Sequence, residues 1–265
     1  MIRTRSIDNY LILSAFSADF IAGFFQNSAA HAYMINSANR MPSKIRFRNR
    51  ATFHDMENRL IAVRLSAQQL SDPRFDDPRA LVRWMGAVQA QDYKAVRWAV
   101  GIRLRTASLR AVNRALERGE ILRTHVMRPT WHLVAAEDIR WMLRLSARRI
   151  WSANSSLARS RGLGIDDGMY SRSNRLIEKM LRGNLCLTKR QIADRFQAAG
   201  IAADTHFMTR YLMRAEADGI VCSGPDRAGQ FTYALLEERV APVPELTRDE
   251  SLGRLARAYF RSHSP

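Results

Sequence analysis

YSRSNRLIEKMLRGNLCLTKRQIADRFQAAGIAADTHFMTRYLMRAEADGIVCSGPDRAGQFTYALL, residues 170–236, holds three helix signals followed by two strand signals. Thr188 and Gln191 have the spacing of a capping box, in which a hydroxyl and an amide three residues apart satisfy each other's free backbone N–H groups. They open the middle helix and leave Ile192 and Phe196 facing a core. Asp204 can cap the third helix, where Phe207, Met208, Tyr211, Leu212 and Ala215 recur at helical spacing as a buried face. The opposite face offers His206, Thr209, Arg210 and Arg214. Gly219 closes that helix, and strands at 220–223 and 230–236 flank the turn 224–229, which is rich in Gly, Pro and Asp.

Helix, helix, helix, hairpin is the order of a winged helix. In the docking geometry of helix-turn-helix proteins the third helix would read a DNA groove, and Arg227 at the hairpin tip would touch a backbone phosphate. Winged helices also mediate protein contacts, and an exposed Arg pair is also what an ordinary solvated helix face looks like. The same pattern recurs upstream. A helix over 78–88 carries Leu81, Trp84, Met85 and Val88 on one face, and a second, capped by Ser108, carries Leu109, Val112 and Leu116 and stops at Gly119. Two β-like runs, 121–126 and 130–134, follow, broken by Arg128-Pro129. Residues 136–159 read as bridging helix, and the loop with Gly162, Gly164, Asp166, Asp167 and Gly168 marks a boundary.

The sequence therefore predicts a mainly α chain with short β-hairpins, an α+β fold of tandem winged-helix units. One unit with its bridging helices covers 56–160, a second covers 161–245, and the helix signal at 248–260 opens a third, truncated unit in 246–265. Residues 1–55 differ from the rest: an apolar stretch at 10–25 precedes the basic run Lys44, Arg46, Arg48, Arg50. Ser14, Ser17 and Asp19 interrupt that stretch, which falls short of the ~20 residues of a membrane span. It is read as a non-native or disordered leader, with Met56 as the true start.

The chain carries a net charge of +17, and its cations are mostly Arg, whose planar fork of donors suits phosphates and base edges. A polyanionic partner follows, although GC-rich coding sequence alone also favours Arg codons. Two cysteines, Cys186 and Cys222, supply neither a disulfide framework nor paired metal spacing and fit a reducing cytoplasm. Phosphate-binding Gly-rich loops, dinucleotide fingerprints, nucleophile elbows and histidine pairs at metal spacing are missing, so the common kinase and hydrolase readings lose support. His125 and His132 read as structural hydrogen-bonders before they read as bases.

One constellation carries chemistry: Trp84-Met85-Gly86-Ala87-Val88-Gln89-Ala90-Gln91-Asp92-Tyr93 together with the stretch from Arg123 to His132. From spacing alone Gln89 and Gln91 fit either a catalytic amide pair or polar residues ending an amphipathic helix. Asp92 is a candidate for water activation or a cap for the next helix. These residues resemble the AlkZ-like family of bacterial winged-helix DNA glycosylases, which unhook bulky or crosslinked N7-alkylguanine. The family's signature of Gln, an apolar residue and Gln is matched by Gln89-Ala90-Gln91, and a related branch has Asp at its second position. Arg128, Thr130 and His132 also match, and the similarity extends from about Leu60 onward.

The resemblance implies catalytic roles for Gln89 and Gln91, with Asp92 as a further candidate; with no Lys obviously placed for Schiff-base chemistry, the enzyme reads as monofunctional, without metal or organic cofactor. Double-stranded DNA is the expected partner, held by Arg123, Arg128, Thr130 and His132 beside the motif and, on the winged-helix reading, by His206, Thr209, Arg210, Arg214 and Arg227. Location in the bacterial cytoplasm with the nucleoid follows, with no membrane and no obligate protein partner. A glutamine pair neither titrates nor acts as a strong base near neutral pH. It can orient a water and stabilise an oxocarbenium-like state, which is an electrostatic task. The rival readings are a non-catalytic transcription factor or architectural DNA binder, and a protein-interaction module.

Overall fold

A computed structural model describes residues 50–263. Most of the expected leader lies outside the described residues; its last six begin helix α1 (Arg50–Ala67). Thereafter one element order occurs twice: helix, strand, helix, helix, strand, strand. The first copy comprises α2 (Pro78–Met85), β1 (Val88–Gln89), α3 (Tyr93–Gly101), α4 (Leu109–Arg118), β2 (Ile121–His125) and β3 (Trp131–Ala135). The second comprises α6 (Asp167–Leu181), β4 (Leu187–Thr188), α7 (Lys189–Ala198), α8 (Thr205–Ala217), β5 (Val221–Ser223) and β6 (Thr232–Leu235). A 22-residue helix, α5 (Ile139–Ser160), joins them. A short α9 (Leu236–Arg239) and a long α10 (Arg248–His263) follow. The fold is mainly helical with two small antiparallel sheets, ordered β1-β3-β2 and β4-β6-β5.

The helix ends follow local chemistry. Ser108 Oγ accepts from Ala111 N, Asp204 from His206 N and Phe207 N, and Thr188 and Gln191 form the full capping box. The first helix is shorter than the sequence pattern predicts. It ends at Met85, because Gly86 turns the chain at φ +80°, a conformation that only glycine adopts without strain. The residues beyond it form β1, so Gln89 lies on a strand and not at a helix end.

Both faces of the first sheet are covered. Val88, Ile121 and Leu133 pack into a core with Leu81, Val96 and Val112 of α2, α3 and α4. Leu122, Val126 and Val134 pack on the other side against Met142 and Leu143 of α5 and Leu252 and Leu255 of α10. The second copy has its own core around Tyr170, Ile192, Phe196, Tyr211 and Tyr233. α8 also crosses α5. Ile150 is buried with Met213 and Ala217, and Asn154 Nδ2 donates to the Arg210 carbonyl at 3.0 Å. No helix among the described residues is long and apolar enough to cross a membrane.

Candidate active site

Pairing in the first sheet sets Gln89 opposite His132 on one side, while Thr124 faces the same His132 from the other. Directly paired residues share a sheet face, so these three form a row. Their neighbours in the same alternation, Leu122 and Val134, identify the face as the one turned toward α5 and α10. The row is polar and starved of partners: Gln89 Oε1 and Thr124 Oγ1 are buried with no hydrogen bond, as is Thr130 Oγ1 in the adjoining loop. Buried polar atoms are normally paired, so an orphaned cluster on one face points to a place for water or substrate oxygen. His132 is buried, and its Nδ1 lies 3.0 Å from the Thr130 carbonyl, which therefore fixes a proton on Nδ1 and leaves Nε2 as an acceptor. Burial pushes its pKa down to about 3, opposed by the Thr130 contact, so the ring is neutral at physiological pH.

The residues after Gln89 are held from below. Ala90 N donates to the Trp131 carbonyl at 2.7 Å, continuing the pairing past β1. Arg123 Nε donates to the Ala90 carbonyl at 2.9 Å and Arg123 Nη2 to the Gln91 carbonyl at 3.2 Å. The same guanidinium lies 4.1 Å from the Trp131 ring centroid, with Tyr93 and Phe231 at 5.0 and 5.1 Å. Only 5% exposed, Arg123 is a strut beneath the Gln-x-Gln segment, a different place from the DNA-facing one expected of it. Gln91 itself is exposed, and its Oε1 receives a long 3.4 Å contact from Trp131 N. Asp92 caps α3, accepting from Lys94 N and Ala95 N at 2.9 Å each. The bond from Ala95 lowers its pKa, and both cap bonds fall on Oδ1, which is thereby committed to the helix.

Beneath Trp131 lies a residue that the sequence pattern did not single out. Glu216 of α8 is fully buried, accepts from Trp131 Nε1 at 3.3 Å and is hydrogen-bonded to His125 Nδ1. Its signal was present: Glu216 follows Leu212 by one helical turn and therefore interrupts an apolar face with a carboxylate. The second copy also reaches the first through its hairpin, where Asp226 Oδ1 accepts from the Tyr93 hydroxyl at 3.1 Å and pairs with Arg97 at 3.7 Å. Burial first and Asp226 second raise the pKa of Tyr93, which stays a donor.

The remaining expected DNA contacts are dispersed over both copies. Arg227 is exposed at the hairpin tip and Arg128 is half-buried beside Thr130. Along α8, only the first turn, with His206, is open; Thr209 accepts from Lys189 Nζ at 2.8 Å. Arg210 is half-buried, and burial lowers its pKa. Arg214 pairs with Asp218 at 2.9 Å and lies 4.9 Å from the Trp151 ring centroid. The face read as open to a groove is therefore partly closed, with Thr209 held by Lys189 of α7 and Arg214 packed on Trp151 of α5.

A model of the family described as "DNA glycosylase AlkZ-like" matches residues 82–265. Among solved structures, the Streptomyces sahachiroi DNA glycosylase AlkZ is similar, with a TM-score of 0.59 and 21% identity over 76% of this chain. The chain spans 56% of that protein's length. No curated protein matches it. With the match extending over more than half of the chain, from within α2 through both sheets to α10, this protein belongs to the AlkZ-like DNA glycosylase family.

Proposed function

We propose that the chain is a DNA-repair glycosylase that hydrolyses the N-glycosidic bond of N7-alkylated or crosslinked guanine in duplex DNA, with Gln89 and Gln91 as its catalytic pair. The observation that carries this reading is the buried, unpartnered Oε1 of Gln89, set in a row with neutral His132 and an equally unpartnered Thr124 hydroxyl. An N7-alkylated guanine is already cationic, so its departure needs no proton from the enzyme. As the C1′–N9 bond breaks, its electron pair neutralises the ring, and positive charge develops on the sugar. Amide oxygens can stabilise that charge and orient the water whose oxygen bonds to C1′ and whose proton leaves to solvent. His132 Nε2, an acceptor that is not protonated above its low pKa, keeps the pocket free of a competing cation.

Both copies follow the element order of a winged helix, which supports that reading of the fold and of its two repeating units. Arg128 and Arg227 fit contacts to backbone phosphates, whereas Arg123 acts on the motif from behind. The close packing of α8 on α5 weighs against a non-catalytic operator-binding role, which needs that helix free for a groove. Such an enzyme would work in the cytoplasm, on the nucleoid. The test is incubation with duplex DNA containing N7-alkylguanine, scored as abasic sites. Wild type should release the base, and Gln89→Ala and Gln91→Ala should each lose at least tenfold in rate. Release that persists undiminished in both variants would sink the mechanism.

A further inference from the structure

Gly86, at the end of α2, lies against α10 so closely that a Cβ there would meet Ala258 Cβ at 3.2 Å. Beside this contact is a hollow of about 280 Å³ lined by Arg83, Arg254, Arg257 and Arg261, with Asp138 as its one carboxylate. The charge balance inside it is lopsided. Asp138 is engaged by Trp141 Nε1 at 2.8 Å and stands 3.8 Å from Arg83, and Arg261 Nη2 donates to the Arg83 and Trp84 carbonyls at 3.1 Å each. Arg254 and Arg257 are exposed and have neither a hydrogen bond nor an ion pair among the described residues. Burial, and after it the positive charges of Arg83 and Arg257, hold Arg261 below its ordinary pKa, and Asp138 opposes them as the nearby negative charge.

We propose that this hollow between α2 and α10 binds a backbone phosphate of the DNA strand whose damaged base is presented to Gln89. Convergent guanidinium groups with free donors match the geometry and charge of a phosphodiester. The position fits as well. Gly86 lies three residues before Gln89, a span of at most about 10 Å, or roughly three nucleotides at about 3.4 Å of rise per nucleotide. Met142, which lines the hollow, belongs to the core against which the Gln89 face of the sheet is packed. The hollow and the orphaned amide oxygen thus lie on the same side of the sheet. This assignment rests on the proposed reading of Gln89 as the place where the damaged base is presented, while its test reads DNA binding alone.

The test is the salt dependence of binding to an undamaged, fluorescently labelled duplex, so base release plays no part. Replacing Arg254 and Arg257 together by Gln keeps most of each side chain, and both residues are exposed, so folding should be unaffected. If each cation neutralises one phosphate, the slope of log K against log salt should fall by about 2. Arg148→Gln with Arg159→Gln, two exposed arginines of α5, removes the same charge elsewhere and should leave the slope nearly unchanged. An unchanged slope in the Arg254/Arg257 variant, or an equal fall in the control, overturns the proposal. So does wild-type binding of inorganic phosphate or ATP that is lost in the variant while its DNA slope stays the same, since the hollow would then serve a free anion. A wild type that binds no DNA at all would instead refute the DNA reading itself.

Discussion

Replacing Glu216 should couple stability to the candidate site more strongly than any other substitution in α8. In Glu216→Ala the carboxylate is lost from a fully buried position, and the His125 Nδ1 and Trp131 Nε1 groups lose their partner. Each donor left unsatisfied costs about 1–3 kcal/mol, so about 4 kcal/mol is expected for the two. With an m-value of about 2 kcal/mol/M, the urea midpoint should fall by about 2 M. Glu216→Gln keeps the shape and an acceptor for Trp131 but offers His125 an amide in place of a carboxylate, a loss of about 1 kcal/mol. The assay is urea unfolding of wild type, both Glu216 variants, His125→Ala and the His125→Ala/Glu216→Ala double variant. A coupling energy of about 0.5–3 kcal/mol is expected from the cycle. Because Trp131 N contacts Gln91 Oε1, Glu216→Gln should also slow base release by lowering kcat while leaving KM nearly as it was. A midpoint shift in Glu216→Ala below about 0.5 M, or additive effects of the two Ala changes, would refute the network.

Two further predictions concern the row and its flank. Asp92→Asn retains a side-chain oxygen for Lys94 N and Ala95 N, so a residue that only caps α3 should tolerate it with base release within about twofold of wild type; a water-activating carboxylate would lose about 100-fold or more. His132 gives a pH signature. Its folded pKa of about 3 lies below the unfolded value of 6.5, so between these values the unfolded chain binds the extra proton and stability falls as pH falls, having been constant above pH 7. From pH 7 to pH 5 that loss is about 2 kcal/mol, and His132→Gln should lose that much less over the same interval by urea unfolding. Equal losses in wild type and variant would mean that His132 is not held neutral.

Helix capping was the most legible layer, because it depends on residues three positions apart. Ser108, Asp204 and the Thr188–Gln191 pair all stand where their spacing puts them, and the mainly helical α+β class follows from them. The site was legible only as a list. β1 and β4 have two residues each, too few for a period of two to appear, so Gln89 read as the polar end of a helix. Arg123 read as a DNA contact because arginine is usually exposed, yet β2 is buried along its whole length.

What was illegible shares a physical cause. Periodicity reports the face that an element turns toward its own core and says nothing of a second partner. α8 is the case in point: Phe207, Met208, Tyr211, Leu212 and Ala215 were read as its buried face, but Met213, Arg214, Glu216 and Ala217 are engaged as well, by α5 and by the first sheet. The consequence reaches the chemistry. If α8 were a free groove reader, the second copy could be removed with loss of affinity alone. Because Glu216 supports Trp131, and Trp131 contacts both Arg123 and Gln91, the second copy instead belongs to the scaffold that sets the geometry of the first. A fragment ending before α6 should therefore lose the placement of Gln91 along with any affinity it loses, even though β1, β2 and β3 are all still present.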